Sequence, residues 1–545
     1  MKSLLSIQML NRLSVIFAFA LLAACGGGGG SSSSGDNPPQ TTANRTGSVG
    51  IMLTDAPADP ALFSSINATI ERIELIGGDA GRVEIFNGPA ETVDLLSLRH
   101  ESMPFAFQDD VPEGTYCKIR LTLANPDGLE LVLAEDGTSH YPKLPGNGKL
   151  DLQARGCFTL SAGDSITLQL DLDAGNSIHI VRRGNRDSFN FRPVVFVDVL
   201  DAEFTGRLVR LDGVISGIDS DTNSLLLCDA LPSDQSHDRD CITIFLGADS
   251  AFFDNVDPVY QGDARPLNEL LTELNLGNVA SVVGLHRSFD YPYEDLDIPS
   301  DAYPPSGECR VWLAGVEVID QPDAGHCNEL EASLPTDAVL IDDEGVIIRD
   351  HRPRMAIDGL AVEMGEFSQH EGVVSSDADT RGFTMEAEPA DLLSIELQSP
   401  TGFNGTRILA KNGALLDYTS IIVPRLLQVD GVELTATDSL KAAVIIVDLS
   451  DSSSMAVAEG TVASVQTGGF ILSPEAGTTP CGVVGDLVVS LTDDVTITTV
   501  SITDDTADVM PDGVLEAGQS VALNGVCEAG GLTADKLVIV DDQRL

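Results

Sequence analysis

The chain has 545 residues, with 84 acidic against 31 basic side chains and a formal charge of -53. A field of that sign repels polyanions, so nucleic acid is excluded as a partner. At roughly 150 residues per domain, the length fits three or four domains.

The first 24 residues read as an export signal. Lys2 and Arg12 give a positive start, residues 13–22 form a short apolar run, and Leu22-Ala23-Ala24-Cys25 closes it with small residues before a cysteine. The run is too short to span a bilayer and has the form of a removable signal. The closing tetrapeptide resembles the bacterial lipobox, which implies cleavage before Cys25 and lipidation of that residue. Gly26 follows, and by the same resemblance sorting is to the outer membrane, with the chain facing the periplasm or the cell surface. Residues 25–46 are Gly/Ser-rich and polar, the composition of a flexible tether.

With Cys25 assigned to lipid, eight of the nine cysteines remain, an even number as an oxidising compartment expects. They fall in neighbouring pairs: Cys117 with Cys157, Cys228 with Cys241, Cys309 with Cys327, and Cys481 with Cys527. Sequential pairing places each bridge inside one structural unit. No Cys-x-x-Cys occurs, so redox and zinc-ribbon readings lose their main support.

Residues 47–203 alternate strand after strand. Cys117, Ile119, Leu121 and Leu123 share one face, and so do Ile166, Leu168, Leu170 and Leu172. That period of two marks half-buried antiparallel strands. Ile66, Ala68 and Ile70 hold one phase and Ile73 and Leu75 the other, which predicts a bulge near Glu71-Arg72. A β-sandwich of about seven to nine strands is expected. Along it come Leu53-Thr54-Asp55-Ala56-Pro57-Ala58-Asp59, the strand at 66–75, Val111-Pro112-Glu113-Gly114-Thr115-Tyr116 and Phe191-Arg192-Pro193-Val194-Val195. This succession resembles the bacterial lipoprotein domain known as domain of unknown function 4382. The resemblance covers about a third of the chain and implies an envelope lipoprotein, with no activity attached.

The remainder repeats. Gly213-Val214-Ile215-Ser216-Gly217-Ile218 is echoed at Gly372-Val373-Val374-Ser375-Ser376 and at Gly460-Thr461-Val462-Ala463-Ser464-Val465. Each is followed by a turn, an apolar strand, a Gly-marked strand and a closing strand, at 311–319, 442–447 and 537–540. Three such copies predict small tandem β-barrels of the OB type over 204–320, 370–449 and 456–545. They resemble a second uncharacterised exported family, domain of unknown function 5666. Residues 321–369 join the first two copies through a hairpin turning at Asp342-Asp343-Glu344-Gly345. Leu267, Leu270, Leu271 and Leu274 mark a short helix. The fold class is all-β: an antiparallel sandwich followed by tandem barrels.

Candidate chemistry is sparse. Asp504, Asp508 and Asp512 are spaced to offer oxygens to calcium, and Asp219-Ser220-Asp221 and Asp377-Ala378-Asp379 do so less well because they fall at hairpin turns. Asp55 and Asp59 offer oxygens too, but Pro57 and Pro60 fit a simple turn there. The eight histidines form no His-x-His or His-Glu-x-x-His, and no Gly-x-Ser-x-Gly elbow occurs. Tyr291, Tyr293, Tyr303 and Trp312 gather in the insertion of the first copy, where aromatic faces stack on sugars or fill a local core. The expectation is a non-catalytic binding or structural module held to a membrane by its lipid anchor. Its ligand would be polysaccharide, an envelope protein or calcium. The alternative is an exported hydrolase acting on polysaccharide through loop carboxylates, and a third reading is an assembly factor binding peptides by strand addition.

Overall fold

Apolar–polar alternation carries most of the described residues into strands, and the computed structural model arranges them as one sandwich and three barrels. It describes residues 46–543 except 56–61, 78–80, 155–156, 184–185, 201–205, 229–240, 273–274, 289–295, 297, 332, 336–337, 351, 353–354, 388–390, 400–404, 450–454, 475–477, 504–506, 512 and 529–530. Among these, no helix is long and apolar enough to cross a membrane.

The sandwich begins with β1 (Thr46–Thr54), β2 (Phe63–Gly77), β3 (Gly81–Phe86), β4 (Glu91–Asp94), β5 (Met103–Pro112), β6 (Gly114–Leu123) and β7 (Leu129–Leu133). It continues with β8 (Ser139–His140), β9 (Lys149–Leu152), β10 (Phe158–Leu160), β11 (Ser165–Leu172), β12 (Ile178–Arg183), β13 (Arg186–Phe191) and β14 (Val195–Leu200). One sheet runs β14-β11-β1-β5, and the facing one is built on β9-β6-β2-β7-β8. Ile66, Ile70, Leu121, Leu150, Leu168 and Leu170 fill the space between them. The register of β2 on β6 shifts between Ile70 and Arg72, where the phase of the apolar residues changes. One pairing departs from the antiparallel expectation: β1 and β11 run parallel.

The first barrel comprises β15 (Leu208–Asp219), β16 (Ser224–Cys228), β17 (Cys241–Asp254), the short β18 (Asp263–Arg265) and β19 (Val279–Ser288). A small separate sheet follows, β20 (Arg310–Leu313), β21 (Ala338–Ile341) and β22 (Ile347–Asp350), before β23 (Met355–Met364) returns to the barrel. The second barrel comprises β24 (Ser368–Ser376), β25 (Gly382–Ala387), β26 (Asp391–Leu397), β27 (Arg407–Ala410), β28 (Leu426–Leu434) and β29 (Ser439–Val447). The third comprises β30 (Met455–Gln466), β31 (Gly469–Pro474), β32 (Leu487–Ile502), β33 (Ala507–Pro511), β34 (Ser520–Glu528) and β35 (Gly531–Asp542).

All three barrels share one wiring. Leaving aside β18, β27 and β33, the five main strands pair first with second, second with third, third with fifth, fifth with fourth, and fourth with first. The third–fifth pairing is parallel each time, β17 with β23, β26 with β29, and β32 with β35. This is the closed five-stranded OB-type order. The closing strand of the first barrel differs from the expectation: it is β23, not 311–319. Val311 packs with Leu334, Ala338 and Leu340 in the inserted sheet, whose own core satisfies the same alternation. The predicted helix is a single turn, Leu267–Leu270.

The bodies are not separate beads. β33 pairs in parallel with β9, Ala507 opposite Leu150 and Val509 opposite Leu152, so the third barrel and one sandwich sheet form a continuous sheet. Val500, Ile502, Val509 and Val538 complete the sandwich core. Leu409, Val444 and Ile446 of the second barrel pack against Leu208, Phe253 and Val283 of the first.

Candidate functional site

The most distinctive chemistry of the described residues is a seam of buried charges where the sandwich meets the three barrels. Its first half surrounds the end of β1. Asp55 is fully buried; one carboxylate oxygen accepts from the Ala174 amide at 2.9 Å, and the other has no hydrogen-bond partner among the described residues. Burial, with Asp171 and Asp173 adding to it, pushes its pKa well above the usual carboxylate range. Arg207, on the connection into the first barrel, donates to the Asp55 carbonyl at 2.8 Å and to the Thr54 hydroxyl at 3.3 Å. From the third barrel Lys536 reaches Asp171 at 2.7 Å and the Asn524 amide donates to Asp173 at 3.3 Å.

The second half centres on Arg210 of β15. Its Nε donates to Glu101 of the sandwich at 2.5 Å, and Nη1 donates to Glu363 of β23 at 3.1 Å and to Ser281 at 2.9 Å. Nη2 donates to Asp430 of β28 in the second barrel. Glu101 also accepts from the amides of Gln428 at 3.0 Å and Gln369 at 3.3 Å. Alongside, Arg99 donates to Glu371 at 2.6 Å, with His100 Nε2 3.8 Å from the same oxygen. The backbone joins here as well, since Ser102 exchanges hydrogen bonds with Leu208 and Arg210. Burial and mutual repulsion raise the carboxyls of Glu363, well above its usual range, and of Asp430, to about 6. The arrangement can bind the four bodies together and can hold protons.

The residues singled out from the sequence fall into place differently. All four cysteine pairs are bridged as the sequential pairing expects. Trp312 is 3% exposed, and its indole N–H donates to the Leu296 carbonyl at 3.2 Å. It belongs to the core of the inserted sheet, with the partly buried Tyr303 packed beside it, so of the two readings Trp312 takes the local-core one. Asp508 lies on β33 and accepts from Lys118 of the sandwich at 3.4 Å, and Lys118 also donates to Asp151 on the neighbouring sandwich strand β9. That carboxylate is thus already engaged by a cation. Among the described residues no group of three or more His, Cys, Asp or Glu is arranged to hold a metal ion. Asp219 and Asp379 each turn a hairpin by accepting from the second and third following amides. Cys25, Asp59, Tyr291, Tyr293, Asp504 and Asp512 lie outside the described residues.

A cleft of about 580 Å³ opens between the first two barrels, lined by Tyr260, Asp263, Arg265, Glu269, Gln398 and Ser399. Its polar groups are largely committed to one another. Arg265 lies 3.7 Å over the Tyr260 ring and pairs with Asp254 at 2.7 Å and with Glu269. Gln398 bonds the Ala264 amide and the Gly262 and Ala442 carbonyls, and Asp263 holds Lys441 at 2.8 Å. The cleft therefore reads as a joint.

Residues 46–193 match the family described as a domain of unknown function (DUF4382). No curated protein matches the chain. The matched segment is the sandwich, and it contributes Asp55, Glu101, Asp171 and Asp173 to the seam. Sequence reasoning missed Glu101, Arg210, Glu363 and Asp430 as a set. Their one signal is a charge inside an apolar strand: Arg210 in Leu208-Val209-Arg210-Leu211, Glu363 in Ala361-Val362-Glu363-Met364, and Asp430 in Leu427-Gln428-Val429-Asp430.

Proposed function

We propose that this chain is a lipid-anchored cell-envelope protein acting as a non-catalytic binding or structural module, a rigid arm carried on a tether. The observation that carries the reading is the use of its interior charges. Glu101, Glu363 and Asp430 meet on one arginine, and Asp171 meets a lysine of another body, so these carboxylates join domains. The lipobox-like Leu22-Ala23-Ala24-Cys25, the Gly/Ser run behind it and the four disulfides support an oxidising, membrane-attached setting. The shared OB-type wiring of the repeats supports their assignment to the second uncharacterised exported family, and the ligand classes are polysaccharide, an envelope protein or calcium.

Expression of the full chain in a double-membrane bacterium, with metabolic fatty-acid labelling, tests this. Label on the wild type, and its loss with release from the membrane fraction in Cys25→Ser, is the expected result. An unlabelled, cytosolic wild-type chain with reduced thiols would overturn it. Hydrolysis of an envelope polysaccharide by the purified protein, lost on substituting loop carboxylates, would favour the hydrolase instead.

A further inference from the structure

The Arg210 cluster holds more carboxylates than its base can neutralise. Three converge on one guanidinium from three bodies: Glu101 from the sandwich, Glu363 from β23 and Asp430 from β28. Their side chains are 5%, 1% and 3% exposed. Each also keeps one oxygen, Glu101 Oε2, Glu363 Oε1 and Asp430 Oδ1, with no hydrogen-bond partner among the described residues. The other polar groups facing the cluster are neutral: Ser281 of β19, Gln369 of β24 and Gln428 of β28. The nearby Arg99 is paired with Glu371, beside His100. Two unbalanced negative charges in a dry site are costly, and a carboxyl group there escapes the cost by keeping its proton.

We propose that this cluster is a proton-operated latch, which clasps the second barrel to the sandwich and first barrel while its carboxyls carry protons and loosens when they lose them. The contribution is fully present below the unfolded carboxyl pKa of about 4 and is lost as pH rises through the folded values. Asp430 releases near 6, and Glu363 well above its ordinary carboxylate range. Groups held low in the fold, such as Asp151 with Arg120 and Lys118, act in the opposite sense. They weaken the protein only at pH values below the ordinary carboxyl range. Asp55, raised in the same sense, and the buried His286, lowered to about 4, add pH dependence of their own, so the latch is isolated by where protection is lost and by its substitution. The inference goes beyond the reading above and holds wherever the chain is anchored. Failure of lipidation and failure of the latch are therefore separate results.

Hydrogen exchange followed by mass spectrometry on the full chain, corrected for intrinsic rate, tests it between about pH 5 and about pH 8. Expected is a pH-dependent loss of protection in β24, β28 and the segment around Glu101, up to about tenfold per pH unit for each proton released. Strands β34 and β35 serve as the reference. The double variant Glu363→Gln and Asp430→Asn, which mimics the protonated pair, should flatten the profile. A flat wild-type profile, or an unchanged slope in the double variant, would overturn the proposal. Should the double variant not fold, the wild-type profile and Asp430→Asn alone decide. Infrared absorption of a buried protonated carboxyl at about pH 5 that is lost in the double variant, and so is not that of Asp55, is a second expected signal, and its absence counts against the latch.

Discussion

Arg210 sits in a strand whose alternation is ordinary, yet its guanidinium reaches three carboxylates from three bodies. Period-two patterning says which face of a strand a side chain occupies and nothing about what covers that face. Arg210, Glu363 and Asp430 all lie on faces that an isolated barrel would give to water, which is why the sequence let them pass as surface. Removing the base leaves buried carboxylates uncompensated, so Arg210→Ala should cost about 3–5 kcal/mol in urea unfolding. Arg210→Lys should recover only part, because one ammonium lacks the fork that addresses Glu101, Glu363 and Asp430 at once. Asp55 behaves differently. Burial holds its pKa well above the usual carboxylate range, and its structural task is to accept from the Ala174 amide. Asp55→Asn should therefore stay within about 1 kcal/mol of the wild type, while Asp55→Ala, which strands that amide, should lose about 1–3 kcal/mol.

At the scale of elements, the repeated Gly-marked strands gave away three barrels, and the phase change at Glu71-Arg72 gave away a bulge. The closing strand of the first barrel was misread because residues 311–319 and 355–364 are both apolar enough to close it. Trp312, Val339 and Ile341 give the insertion a core of its own, and that tertiary fact settles which strand returns. The β9–β33 splice had no signal either, since Leu150, Leu152, Ala507 and Val509 read as ordinary barrel and sandwich positions. Val509→Asp places a charge in the shared core and should cost about 3–5 kcal/mol, detected as earlier unfolding in denaturant together with protease sensitivity at the splice. The disulfides were legible from spacing, and their worth should scale with the loop each closes. Cys481–Cys527 encloses a separation of 46 residues against 13 for Cys228–Cys241. Removing the longer by paired Ala substitution should cost about 1 kcal/mol more in the chain-entropy account, and equal losses would refute that account here.

For the molecule as a whole, composition pointed to an acidic, exported, all-β chain, while the docking of barrels on the sandwich was invisible to it. Shared cores and the buried seam couple the bodies, so residues 46–543 should melt in one calorimetric transition whose enthalpy matches its van't Hoff value. Two or more resolved transitions would show that the joints are weak. Added salt should raise the melting temperature, since a chain of charge -53 repels itself and the mobile ions screen surface repulsion more than the buried pairs.

One consequence follows from the sheet that unites β9 with β33. During synthesis, β9 emerges early while its neighbour arrives only with the third barrel. Until then the nascent sandwich presents an unclaimed ladder of backbone donors and acceptors, a template for wrong partners. Maturation of this protein is thus paced by its last hundred residues, and a truncated product should need an escort or be lost to aggregation.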